Sequence, residues 1–110
     1  MVEYSLNLCY GIVVSVDKFS EIVDNLTDAE YDEMIDNYAH CINSWTGEPY
    51  FIGLTTRILN NEDDIYYVSN FSAPSDDNED LINFKKFFDE HNLWQFIDWK
   101  PQLLLINFCF

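Results

Sequence analysis

Residues 4–42 read YSLNLCYGIVVSVDKFSEIVDNLTDAEYDEMIDNYAHCI, and the spacing of their apolar side chains changes part-way along. Leu6, Leu8, Tyr10, Ile12, Val14 and Val16 alternate with Ser5, Asn7, Cys9, Gly11 and Ser15. That period of two predicts a half-buried strand over 4–16. Val13 interrupts the polar side, so part of that side is expected to be covered, and Gly11 marks a bulge or a close backbone approach. Asp17 offers an N-cap for a short helix over 18–25 that turns Phe19, Ile22 and Val23 inward. Thr27-Asp28-Ala29-Glu30 matches the capping box, in which the Thr and Glu side chains each satisfy a free backbone N–H. Tyr31, Met34, Ile35, Tyr38 and Ile42 follow at 3.6-residue spacing, the core stripe of a second helix.

Thr46-Gly47-Glu48-Pro49 ends the helical region by turn chemistry. A second strand is predicted over 50–59, a hairpin loop at Asn60-Asn61-Glu62-Asp63-Asp64, and a third strand over 65–71. A polar loop around Pro74 leads to a helix over 77–91 with Leu81, Phe84, Phe87 and Phe88 inward. Trp94, Phe96 and Trp99 lie in a connection that stops at Pro101. Gln102 to Phe108 is a last strand, and its Leu103-Leu104-Leu105-Ile106 run predicts burial on both faces. The expectation is therefore one α+β domain over 1–110. Its order is β-α-β-β-α-β, with a mainly antiparallel sheet and helices on one face, compatible with a ferredoxin-like sandwich.

At 110 residues the chain has room for one core. It is 48% apolar, with nine Phe, seven Tyr and three Trp, which separates it from disordered chains of equal charge. Twenty Asp and Glu oppose five Lys and Arg, a formal net charge of −15. That surplus repels nucleic acid and anionic membranes and attracts basic surfaces, so direct DNA or RNA binding through a basic patch is not expected. Cys9, Cys41 and Cys109 are odd in number and form no CxxC, which reads as free thiols rather than a disulfide framework. No charged-then-apolar leader and no membrane-length apolar run occurs. The expected location is the cytoplasm of a bacterial cell.

Motifs for chemistry are weak. Asp76, Asn78 and Asp80 sit at positions 1, 3 and 5 of an EF-hand-like loop. Leu81 takes the place of the turn glycine, however, and Phe87 that of the bidentate Glu. An acidic first helical turn, favoured by the helix dipole, is the better reading. His40 and Cys41 are adjacent and diverge on a helix, so no zinc site is expected. Neither His40 nor His91 belongs to a GxSxG, HExxH or P-loop pattern. No cofactor and no catalytic residue is assigned, with a small enzyme or metal-binding module kept as an alternative.

The carboxylates are unevenly placed. Asp17, Glu21, Asp24, Asp28, Glu30, Asp32, Glu33 and Asp36 are opposed over that stretch only by Lys18. Asp28, Asp32 and Asp36 fall at i, i+4 and i+8, rising about 6 Å per step along one helix face. Duplex phosphates on one strand rise about 3.4 Å per step but wind round the axis, so their through-space spacing is roughly 6–7 Å. A carboxylate ridge can imitate such a row. Glu33 flanks the ridge, Glu62, Asp63 and Asp64 form a second patch, and Asp76 and Asp77 begin a third. These ten residues, Asp24 among them, are the candidate partner-binding set. Trp45, Tyr50, Tyr66, Tyr67 and Trp94 exceed what a small core easily hides, and Tyr and Trp are enriched at interfaces.

In size and acidity, and in carrying the 17–36 and 62–64 acid clusters on an α+β body, the chain resembles small phage-encoded inhibitors. These include anti-CRISPR proteins and other DNA mimics that block nucleases, repair glycosylases or restriction enzymes. It is also similar to bacterial immunity proteins that neutralise a nuclease toxin. The resemblance implies a non-catalytic inhibitor of a Cas nuclease or another nucleic-acid-binding enzyme, with immunity to a basic toxin as the alternative. A twofold dimer, through an edge strand or surplus aromatics, is compatible with the sequence.

Overall fold

The computed structural model describes residues 4–43, 45–47, 49–59 and 71–109, with side chains described from 6 to 56 and from 71 to 107 within those bounds. The first strand, β1, spans Tyr4–Val14 and helix α1 spans Val16–Val23. Helix α2 is Asp28–Asn37, β2 is Ala39–Cys41 and β3 is Tyr50–Leu59. Helix α3 is Glu79–Glu90, a 3₁₀ turn covers Trp94–Phe96, and β4 is Gln102–Cys109.

The sheet runs β2-β3-β1-β4. Every neighbouring pair is antiparallel. Because β1 and β2 both oppose β3, they are parallel to each other with β3 between them. By the same reasoning β3 and β4 are parallel and split by β1. Two interlocked split β-α-β units result, the ferredoxin-like arrangement. The α+β class and the antiparallel sheet thus agree with the sequence, but one strand is not the one foreseen. The β2 strand comes from the end of the expected second helix. That helix stops at Asn37 because Gly53 N–H donates to the Tyr38 carbonyl at 2.8 Å and Ala39 to Cys41 pair with β3. His40 therefore lies on a strand, and Ile42 leaves the helical stripe for the other face of the sheet. The loop expected at 60–64 and residues 65–70 of the strand expected over 65–71 lie outside the described residues, and Phe71, which is described, is not in a strand.

Register assigns the faces. Tyr10 opposes Leu54, and Ile12 opposes Ile52, which also opposes Ala39. These side chains meet Phe19 and Ile22 of α1, Met34 of α2, and Leu81, Phe84, Phe87 and Phe88 of α3 in one core. All three helices pack on that face. Phe19 stacks on Tyr50 at 3.8 Å between centroids, and Trp94 and Trp99 close on Phe84 at 6.0 and 4.9 Å. Tyr50 and Trp94 are thus half-buried, Trp45 is 77% exposed, and Tyr66 and Tyr67 lie outside the described residues.

The opposite face holds a small second cluster of Cys9, Phe51 and Ile106. A glycine pair seats its aromatic ring. Gly11 and Gly53 are cross-strand partners, and Gly53 has φ 148°. A Cβ on Gly11 would meet the Ile52 carbonyl oxygen, and one on Gly53 the Tyr10 carbonyl oxygen. The Phe51 ring fills the space both glycines leave; its Cζ would lie 3.1 Å from a Cβ on Gly53. An aromatic ring over strand glycines replaces the side-chain packing they lack. The close-approach reading of Gly11 holds, while the register shift itself falls between Leu8 and Cys9.

Two further expectations need correction. The α1 N-cap is Ser15, whose Oγ accepts from Lys18 N–H at 3.2 Å, and Asp17 lies in the first turn. Burial of β4 on both faces also fails. Leu104 and Ile106 join the second cluster, but Leu103 and Leu105 are 37% and 49% exposed. The reason is position: β4 is the edge of the described sheet, and the helix layer does not reach across it.

Candidate acidic interaction face

Helix α2 starts where the sequence says it should. Thr27 Oγ1 accepts from Glu30 N–H at 3.3 Å, and Thr27 N–H donates to Glu30 Oε1 at 2.8 Å. The Thr27 backbone N–H and then its hydroxyl, with His91 adding a smaller effect, hold the Glu30 carboxyl below its ordinary pKa. Helix α3 is capped by Asn78, whose Oδ1 accepts from Leu81 N–H at 3.1 Å.

The two helices lie side by side and antiparallel. Glu30 in the first turn of α2 meets His91 at the C-cap of α3, 2.9 Å apart. At the other end Tyr38, the C-cap of α2, packs on Phe84 and Phe87 at 5.5 and 5.3 Å. Asp36 and Asp80 there line a polar groove of about 360 Å³ with Asn37, Tyr38, His40 and Asn83. Burial, and after it the Glu33 and Asp80 carboxylates, push the Tyr38 phenol above its usual pKa. Burial lowers the His40 pKa.

Met34 on α2 and four apolar residues on α3 point to the core, so the polar residues point outward. Asp28, Asp32, Glu33 and Asp36 are all exposed, as are Glu79, Asp80, Asp89 and Glu90. Together the two helices carry nine carboxylates and two lysines. Lys86 reaches Glu90 at 3.8 Å with both side chains largely in solvent, a pair that contributes little.

Acids in a first helical turn are favoured by the dipole, and Asp28, Glu30, Glu79 and Asp80 are so placed. The last turns are the reverse. No base occurs in the last turn of α1, α2 or α3. Asp36 closes α2, and Asp89 and Glu90 close α3. Each such carboxylate opposes the dipole by about 0.3–1 kcal/mol. Asp89 has a local use, accepting from Trp94 Nε1. Asp32 and Asp36 accept no hydrogen bond and pair with no cation among the described residues.

The sequence-predicted site residues are thus partly gathered. Asp28, Asp32, Glu33 and Asp36 form one ridge, and the start of α3 stands across a groove from its end. Asp76 and Asp77 are exposed in the turn just before that start, with Ser75 Oγ donating to Asp77. Asp24 is exposed at the C-cap of α1, beside the groove formed with Tyr31 and Tyr50. Glu62, Asp63 and Asp64 lie outside the described residues. Sequence reading placed Glu79 and Asp80 in the acidic patch over 76–80 without counting them among the ten site residues, and it left out Asp89 and Glu90 altogether. Their signal was available, since all four fall off the Leu81, Phe84, Phe88 stripe. The approach of Asp80 to Asp36 was not, because it depends on how two distant helices pack.

Elsewhere the Cys9 thiol is fully buried and pushed up to about 11 by desolvation, which leaves it unreactive. Cys41 is a half-buried free thiol. Among the described residues no helix is long and apolar enough to cross a membrane. No protein-family model, curated protein or solved structure matches the chain.

Proposed function

We propose that this chain is a non-catalytic protein inhibitor whose α2–α3 face binds the lysine- and arginine-rich, nucleic-acid-contacting surface of a bacterial enzyme. A CRISPR effector nuclease is the first target to test. The observation that carries the reading is the stacking of carboxylates on two adjacent helices, including helix C-termini where the dipole opposes them. A solvated surface needs charge, but it does not need charge in the positions that cost helix stability. Local choices that conflict with the fold mark surfaces kept for another purpose.

The ridge spacing of about 6 Å per i, i+4 step is close to that of a phosphate row. Lysine and arginine clusters built for phosphates would meet carboxylates instead, with fast, salt-sensitive association. The test is a DNA-cleavage reaction with a purified effector nuclease and its guide. Added chain is expected to slow cleavage, excess duplex DNA to relieve the block, and rising salt to weaken it. Cleavage that is unaffected across a panel of effector nucleases and basic nuclease toxins would remove the inhibitor reading.

A further inference from the structure

The two edges of the described sheet differ. The β2 edge is three residues long, and short edges resist pairing with other chains. The β4 edge is eight residues long and pairs with β1 from Tyr4–Cys109 to Gly11–Gln102 without a register shift. Its sequence, QLLLINFC, contains no charge and no proline, and its pairing has no bulge. These are the usual devices that stop an edge from being extended. No described strand lies beyond it.

We propose that β4 pairs antiparallel with β4 of a second copy of this chain, continuing the sheet across a twofold axis. Leu103 and Leu105 oppose Tyr10 and Leu8, so they stand on the helix side of the sheet, past the end of the helix layer. In the pair, each copy covers the other's exposed leucines. Charge selects the occupant. Two copies that each carry −15 can approach closely only through a surface free of carboxylates. Among the described residues the β4 edge is such a surface, and the ions just before it, Asp98 and Lys100, neutralise each other at 3.1 Å. A basic partner gains nothing from this edge and would be drawn to the helices.

An antiparallel strand pair has its twofold perpendicular to the sheet. Both helix layers therefore fall on one side of a sheet with four strands from each copy. The dimer would double the acidic face without burying it. The pairing rests on the sheet edge and stands or falls separately from the target of that face.

Sedimentation equilibrium of the full chain tests this. A dimer is expected, and its association should tighten as salt rises because screening relieves the mutual repulsion. Association with a basic target runs the other way. The Leu103→Lys/Leu105→Lys variant should weaken self-association at least tenfold at unchanged circular dichroism, while Asp28→Asn/Asp32→Asn/Asp36→Asn keeps the dimer. A chain that stays monomeric at every salt concentration, or a dimer untouched by the β4 changes, overturns the proposal. Should the β4 variant fail to fold, hydrogen exchange of the unaltered chain decides: β4 amides must gain protection as protein concentration rises, and constant protection refutes the pairing.

Discussion

Asp36 closes the last turn of α2, where unpaired carbonyls already concentrate negative charge, and Asp32 stands one turn before it. Neutralising Asp36 should therefore stabilise the fold. Asp36→Asn is expected to raise unfolding free energy by about 0.3–1 kcal/mol at low salt, seen as a higher urea midpoint at unchanged slope. A lower midpoint would show that Asp36 is held by contacts its surroundings do not reveal. Under the proposed inhibitor role the same substitution should weaken target binding, so stability and inhibition are expected to move in opposite directions at this residue. His40 gives a pH-dependent counterpart. Burial favours its neutral form, so its folded pKa lies below the ordinary 6.5. The folded state then binds fewer protons than the unfolded state in the window just under that value. Its contribution to stability is present above it and is lost as pH falls through the folded pKa. An NMR titration of the His40 ring should give a midpoint below 6.5, and one at or above it contradicts the burial described here. Gly53 allows no side chain. Gly53→Ala drives a Cβ into the Tyr10 carbonyl at a positive φ, and a loss of several kcal/mol is expected, read by chemical denaturation.

At the scale of elements, local chemistry carried most of what could be read from sequence. The capping box at Thr27 and Glu30 fixes the start of α2, and Thr27→Ala should cost about 0.5–2 kcal/mol by thermal or urea unfolding. The Leu81, Phe84, Phe87, Phe88 stripe of α3 and the bounds of β3 were equally legible, because period and turn residues are encoded locally. Two features were not. The 3.6-residue stripe from Tyr31 runs on through Tyr38 to Ile42, yet the helix stops at Asn37. Ala39 to Cys41 exchange helical bonds for pairing with β3, a partner distant in sequence whose register no local pattern announces. The Leu103 to Ile106 run has the composition of a buried central strand, and only the strand order shows it to be an edge. The acidic ridge on α2 was visible as i, i+4 spacing, whereas its meeting with Asp80 required the antiparallel packing of α2 on α3.

For the whole molecule, charge and core oppose each other. The net charge of −15 repels itself, and the three exposed lysine–carboxylate pairs among the described residues offset little of it. The aromatic-rich core between helices and sheet keeps the chain folded in spite of that repulsion. Screening should therefore stabilise it: raising NaCl from about 20 to about 500 mM is expected to raise the melting temperature by several degrees. A melting temperature that falls with salt would mean that attractive ion pairs, not repulsion, dominate. The same charge, gathered on α2 and α3, is what the proposed inhibitor role depends on. The most direct measurement is inhibition of a susceptible nuclease by the unaltered chain and by Asp28→Asn/Asp32→Asn/Asp36→Asn, both shown to be folded. The charge-mimic account predicts at least a tenfold loss of inhibitory potency in the variant, and equal potency in the two would contradict it.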